Sequence, residues 1–383
     1  MVSVGDPKEI GTIYGFKQSW RKSNFYRALL MKARNKPVEG IFATQSETIH
    51  RNLKRPVSGA YSMSNLVSFE PYVDTTMRVL CNQLEARFTN ADGLRPTPCN
   101  MSEWLQMFAF DVIGELTFSK RFGFLERGED VDGIMAGLWN TFKKTSLVSQ
   151  MPWLEYFWTN NPVLRQFRGN GKSPGVEFAM ARVQERKALE RGELEKEWEV
   201  NSRDFLSRFM EIEAKDKNVP REALLVWTSS NITAGSDTTA IFLRAILHQL
   251  LTHPSTLKTL LAELDKAASD GQLDDLALWK QTNGLPYLTA CINEAGRLHP
   301  PFGLPFEREV PPEGAVVCGQ FLKGGTVVGM SAWVTHRDWK TFGEDCDEWR
   351  PERWLCDPDE RKRMEAALLT IVFGEEHLSS GDL

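Results

Sequence analysis

The amino-acid sequence predicts a mainly helical α+β fold with a long central helix and a small β-sheet. Helical periodicity dominates from about residue 44 to residue 298. Beyond Pro300, Pro and Gly become frequent and short β-type runs replace the periodic ones, as in a small sheet followed by an irregular meander. No Pro- or Ser-rich linker divides the 383 residues, and there is neither an internal repeat nor a low-complexity segment, so one domain over 1–383 is expected.

Each element has a local signature. The chain starts with a short strand, Val2 to Val4, a turn at Gly5-Asp6-Pro7 and then a helix. Apolar spacing predicts helices over 44–60, 66–89, 100–117, 130–147, 172–191, 203–215, 219–252, 254–268 and 285–298. The longest, 219–252, begins after Pro220 and is apolar almost throughout, so it is expected to run through the core. The run Glu185 to Glu199 carries charges of both signs and reads as a solvated helix end and loop. Ala315 to Val317 and Thr326 to Met330 read as strands.

Composition narrows the class. Apolar residues make up 42% and charged residues 25%, as in a globular protein with a sizeable core. The 12 Trp and 22 Phe suit deep cores and apolar pockets. A net charge of −5 gives no reason to expect nucleic acid as a partner. The six cysteines (Cys81, Cys99, Cys291, Cys318, Cys346 and Cys356) form no C-x-x-C pair and no zinc or disulfide framework, a pattern of reduced thiols in an intracellular protein. No stretch of about 18 apolar residues predicts a membrane span, and the N-terminus lacks the pattern of a signal peptide.

Four segments carry candidate chemistry. The first, Ala234-Gly235-Ser236-Asp237-Thr238-Thr239, sits inside the most apolar helix. Gly there costs about 1 kcal/mol relative to Ala, and Asp and Thr compete for backbone hydrogen bonds. Two readings fit equally: an opening of the helix beside a ligand, or a plain helix break with Thr bonded back to a carbonyl. The second is Glu294-x-x-Arg297, whose spacing puts both side chains on one helical face, followed by His299-Pro300-Pro301 and an apolar run, Phe302 to Phe306. The third is Phe342-Gly343 followed by Trp349-Arg350-Pro351-Glu352-Arg353-Trp354. An Arg set among aromatics can reach a buried Glu–Arg pair and add charge-assisted bonds, although a surface turn is the simpler reading. The fourth is His50-Arg51-Asn52-Leu53-Lys54-Arg55, where His50 and Lys54 share a helical face that alone reads as solvated.

Taken together and in this order, these segments resemble the cytochrome P450 family, in a filamentous-fungal style, from Val2 to Phe373-Gly374. The oxygen-activating helix is similar to AGSDTT, the Glu-x-x-Arg helix to Glu294 and Arg297, and the Pro-Glu-Arg-Trp motif to Pro351–Trp354. The Trp-x-x-His-Arg-Asp stretch is present as Trp333 to Asp338. The resemblance implies a haem b cofactor and electrons from NADPH through a partner reductase. It also implies a small apolar organic substrate of the kind met in secondary metabolism, and location at the endoplasmic-reticulum membrane. It implies that Asp237 and Thr238 relay protons to bound dioxygen and that Ala234 and Gly235 line the oxygen cleft. Glu294, Arg297 and Arg353 would form a structural triad. His50, Lys54 and Arg308 would meet the haem propionates, with Phe373 beside the haem. Phe302, Gly303, Leu304, Pro305 and Phe306 would line the substrate pocket.

The resemblance fails at the haem loop. The family pattern FxxGxxxCxG starts at Phe373, but Glu376 falls at its Gly, Leu378 at the expected basic residue, and Ser380 at the Cys whose thiolate binds iron. A Ser hydroxyl, un-ionised at neutral pH, does not replace a thiolate. His377 is the remaining donor in this stretch, and it would give an imidazole-type haem. Relative to the family, the N-terminal anchor, the first strands, the helix after the loop and the C-terminal hairpin are expected to be missing. An inactive monooxygenase relative, and a haem-free remnant or incomplete gene product acting, if at all, as a binding protein, are therefore both open. Isomerase or dehydratase chemistry is disfavoured because the Asp237–Thr238 pair is intact.

Overall fold

The computed structural model describes residues 1–15, 20–33, 36–89, 98–154, 161, 174–195, 200–220 and 222–369. Its long helices are α1 (Glu47–Val57), α2 (Glu70–Phe88), α3 (Met101–Phe118), α4 (Ile134–Ser149), α5 (Pro174–Glu190), α6 (Phe205–Lys215), α7 (Ala223–Gly235), α8 (Asp237–Thr252), α9 (Pro254–Ser269), α10 (Pro286–Leu298) and α11 (Pro358–Ala366). The strands are β1 (Val2–Ser3), β2 (Arg21–Lys22), β3 (Met31–Ala33), β4 (Lys36–Val38), β5 (Arg308–Glu309), β6 (Ala315–Val317), β7 (Gln320–Leu322) and β8 (Val327–Gly329). The predicted α+β class is the observed one, and the helix limits lie within a few residues of those expected. The main difference is the longest helix. It starts at Ala223 rather than directly after Pro220, and it is interrupted at Ser236.

The described residues group into two compact units. The first comprises Met1–Ser23 and Ile241–Leu383. It holds a four-stranded sheet in the order β1-β8-β5-β2, in which only the β1–β8 pair is parallel. The N-terminal strand thus pairs with one more than 300 positions away, Val2 opposite Val328. Asp6 caps the turn that follows by accepting from the Lys8 N–H, and Pro7 is placed where its missing N–H leaves nothing unpaired. One face of the sheet is closed by Val4, Ile10, Ile13, Trp20, Val310, Val328 and Met330. A second cluster, Ala290, Phe342, Cys346, Trp354, Met364 and Ala367, packs α10 and α11 around the meander.

The second unit, Asn24–Ala240, is a helical assembly with an aromatic interior. Phe122 and Phe178 stack at 4.0 Å, and Phe205 stacks on Tyr61 at 4.9 Å. The fully buried Asp111 of α3 caps the short helix Phe124–Arg127 by accepting from the N–H groups of Gly123, Phe124 and Leu125. Burial pushes this carboxyl upward, against the lowering effect of those three donors.

One residue of the charged run departs from the expected solvated helix end and loop. Arg186, inside the run read as solvated, is only 5% exposed. Its guanidinium pairs with the fully buried Asp204 at 2.8 Å and donates to the Phe118 carbonyl at 2.9 Å and to the Ser207 hydroxyl at 2.7 Å. Ser119, in the left-handed region at φ 55°, completes the group by donating to Asp204 at 2.6 Å. The run is otherwise a solvated helix end and loop, exposed from Glu190 to Glu195, and this one cation departs from it because it finds a buried carboxylate from α6's N-cap.

Candidate functional site

In the second unit, the segment around Gly235 is a true interruption of the helix. The first part of the helix is anchored by polar contacts. Trp227 Nε1 donates to the Leu53 carbonyl at 3.1 Å, and Asn231 accepts from the Tyr61 hydroxyl at 2.6 Å. At the break the hydroxyls take over from the backbone. Ser236 donates to the Ile232 carbonyl and Thr238 to the Ala234 carbonyl, both at 2.6 Å. This is a short helix break with Thr bonded back to a carbonyl, and Ser236 itself keeps helical angles, φ −83° and ψ −59°. Ala234 and Thr239 are exposed, whereas Asp237 and Thr238 are half-buried.

Two features at this break were not visible in sequence. Gln106 of α3 donates from Nε2 to Oδ1 of Asp237 at 2.7 Å, which orients the carboxylate. No local pattern links residues 131 positions apart. Gly235 also has a packing reason: a Cβ there would meet Ile113 Cδ1 at 3.2 Å, so the small residue lets α7 lie close on α3. His50 and Lys54 are half-buried on α1 in the same unit.

In the first unit, α10 presents a wholly buried carboxylate–guanidinium pair. Arg297 donates to Glu294 through Nε at 2.8 Å and Nη2 at 2.7 Å, a two-pronged contact. Arg353 adds a third bond to the same carboxylate through Nε at 2.9 Å, and Trp354 adds a fourth through Nε1 at 2.9 Å. The backbone N–H of Arg350 supplies a fifth at 3.0 Å. The other guanidinium protons go to carbonyls, those of His336, Cys346 and Glu348 from Arg297 and those of Phe342, Asp345 and Glu348 from Arg353, and Arg353 also meets the Asp345 carboxylate at 3.3 Å. A buried charge is tolerable only when paired and fully hydrogen-bonded, and here the pairing is dense. The indole of Trp354 is the member that sequence reasoning did not single out as a donor.

The run expected to line the substrate pocket, residues 302–306, also read as an extended strand, follows α10 in the same unit but forms no strand, pairing beginning only at Arg308. The Phe302 and Phe306 rings stack in parallel, 8° between planes at 4.9 Å, and both are half-buried. The Gly303 carbonyl accepts from Ser331 at 3.0 Å, while Leu304 and Pro305 are half-buried. The Phe306 carbonyl accepts from the Tyr14 hydroxyl at 2.6 Å. Arg308 lies over the Tyr14 ring, its guanidinium carbon 5.2 Å from the centroid. Phe373, His377 and Ser380 lie outside the described residues.

A mainly helical fold with a broken helix, a buried Glu-x-x-Arg pair and a meander Arg that joins it is the arrangement that the sequence resemblance implied. The sequence profile of the cytochrome P450 family matches residues 1–369, and the chain belongs to that family. It is 65% identical over 378 residues to a cytochrome P450 monooxygenase of Aspergillus terreus (strain NIH 2624 / FGSC A1156), covering 98% of this chain and 76% of that protein. It is 46% identical over 379 residues to the cytochrome P450 monooxygenase cicH of Emericella nidulans, covering 99% of this chain and 74% of that protein. In structure it is similar to a crystal structure of a cytochrome P450 (CYP102L1), with a TM-score of 0.70 and 18% identity, over 94% of this chain and 74% of the other.

Family membership implies haem, and the donor chemistry of this chain can be set against it. Cys291 and Cys346 are buried in the first unit, and burial pushes the Cys291 thiol up to about 12. Cys318 is exposed in the β6–β7 turn, where burial of its sulfur and nearby Glu9 raise its thiol. Cys356 is half-buried, and partial burial with Glu360 raises its thiol too. No cysteine follows Cys356 in the sequence. Of Cys99, Cys291, Cys318 and Cys356, none is pushed toward the thiolate by its own surroundings. Among the described residues, no cluster of three or more His, Cys, Asp or Glu could hold a metal ion, and no helix is long and apolar enough to cross a membrane.

Proposed function

We propose that this chain is built on the scaffold of a fungal cytochrome P450 monooxygenase for a small apolar organic substrate, of the kind met in secondary metabolism. Members of that class take electrons from NADPH through a reductase, commonly at the endoplasmic-reticulum membrane. The observation that carries this reading is the five-donor Glu294 carboxylate joined by Arg297 and Arg353. The break at Gly235–Asp237 and the monooxygenase relatives support it. The stacked Phe302–Phe306 pair suits a flat apolar ligand.

We further propose that the sequence as it stands is not a working oxygenase, because Ser380 occupies the position of the haem cysteine. The second reading, a haem-free binding protein on the same scaffold, is favoured by that one substitution together with Glu376 in place of the loop Gly.

The test is a reduced, carbon-monoxide difference spectrum of the purified chain after haem supplementation. A Soret band at the thiolate position would show another cysteine on iron and overturn the inactive reading. A band at the imidazole position would implicate His377. Absence of any band supports the haem-free scaffold.

A further inference from the structure

His336 belongs to the Trp333–Asp338 stretch, and none of the roles derived above uses it. It follows the short helix Ala332–Thr335 and is fully buried. Its ring makes two backbone contacts. Nε2 accepts from the Leu369 N–H at 2.7 Å, and Nδ1 lies 3.1 Å from the Arg297 carbonyl. An amide can only donate, so Nε2 must carry the lone pair and Nδ1 the proton. The tautomer is therefore fixed by its neighbours. The contact with Arg297 is reciprocal, since Arg297 Nη1 donates to the His336 carbonyl at 2.9 Å. Leu369 packs against the cluster of Val4, Trp20 and Val328.

We propose that His336 is a positioning residue: through one ring it fastens the end of the Glu294–Arg297 helix to the backbone at Leu369. The reason for a histidine is chemical. Neutral imidazole offers one donor and one acceptor on opposite sides of a flat, rigid ring. An apolar ring of the same size would leave a buried carbonyl and a buried N–H without partners.

The experiment is residue-resolved amide hydrogen exchange of the purified full chain and two variants, His336→Gln and His336→Asn. The Gln amide oxygen reaches the place of Nε2, whereas Asn is too short and keeps only the donor toward Arg297. In wild type and in His336→Gln the Leu369 amide is slow. In His336→Asn it exchanges about tenfold to a hundredfold faster, while the amides of α10 keep their protection. The proposal is overturned if Leu369 exchanges as fast in wild type as in His336→Asn. It is equally overturned if Gln fails to rescue while α10 stays protected, or if both variants lose α10 and Leu369 together, as a mere space-filling side chain would. The measurement needs neither haem nor substrate. A thiolate band in the carbon-monoxide spectrum would leave it untouched, and its own failure would leave that spectrum's meaning unchanged.

Discussion

Arg353 donates through Nε to Oε1 of Glu294 at 2.9 Å across 59 positions of sequence, with the two side chains 2% and 0% exposed. This bond ties the meander to α10. Its removal strands a buried charge, which costs far more than the pair itself contributes. Arg353→Ala is expected to destabilise the protein by about 3–5 kcal/mol, read from urea or thermal unfolding. Glu294→Gln should cost a similar amount, because two buried guanidinium groups then face a neutral amide. A loss under about 1 kcal/mol for either would show that water or a shifted side chain replaces the missing partner.

The Arg186–Asp204 pair makes the same case for the other unit. Asp204 accepts from Arg186, from the Ser119 hydroxyl and, as the N-cap of α6, from the Ser207 N–H at 2.7 Å. Asp204→Asn keeps the shape and the cap but removes the charge. It is expected to cost about 2–4 kcal/mol, and Asp204→Ala about 1 kcal/mol more through the lost cap. Equal losses for the two variants would mean that the cap contributes nothing.

What could be read from sequence followed from locality. The helices announce themselves because apolar residues recur every three to four positions, and Glu294 and Arg297 are neighbours on one helical face. The Gly5-Asp6-Pro7 turn is equally local. The contacts that escaped are those closed by tertiary packing. Gln106 and Asp237 share no pattern, Arg186 looked like one cation in a charged run, and His336 shows no sign that both ring nitrogens are engaged. Gly235 was legible as a break, but its contact with Ile113 was not, because the partner lies on another helix.

Gly235 therefore allows a test of sign. Alanine in a helix interior gains about 1 kcal/mol over glycine, but its Cβ would press on Ile113 at 3.2 Å. Gly235→Ala is expected to be near neutral, and Gly235→Val destabilising by about 1–3 kcal/mol. In an Ile113→Ala background, which lacks both Cδ1 at 3.2 Å and Cγ1 at 3.3 Å, Gly235→Ala should recover most of the helix gain. A coupling of zero in this double-mutant cycle would place the glycine's importance elsewhere.

The thiols should react in an order set by exposure. Cys81 and Cys318 are exposed, whereas Cys291 is wholly buried with its thiol pushed up to about 12, chiefly by burial. Native alkylation at pH 7.5, read by mass spectrometry, should label Cys81 first and Cys318 more slowly, with Glu9 and partial burial holding the latter protonated. Cys291 and Cys346 should stay unlabelled until the protein unfolds. Rapid labelling of Cys291 would mean that α10 opens readily in solution.

His336 links stability to pH. Burial, with Arg297 and Arg337 facing the ring, lowers it to about 4 from an ordinary value of 6.5. Between those limits the unfolded chain binds a proton that the folded chain refuses, so stability falls as pH falls. Above pH 6.5 the histidine is neutral in both states and contributes no slope. Below about 4 it is protonated in both, and the slope from this group ends. Within the window the expected loss is about 1.4 kcal/mol per pH unit, or about 3 kcal/mol in all. Carboxylates titrate there too, so the informative quantity is the difference between wild type and His336→Gln, which carries no titrating ring. Urea unfolding at half-unit steps from pH 7.5 to 4 should show the wild-type curve falling more steeply below pH 6.5, and the two running parallel above it. Parallel curves throughout would mean that the folded protein accepts the proton at His336, which it can do only by giving up the Nε2 bond to Leu369.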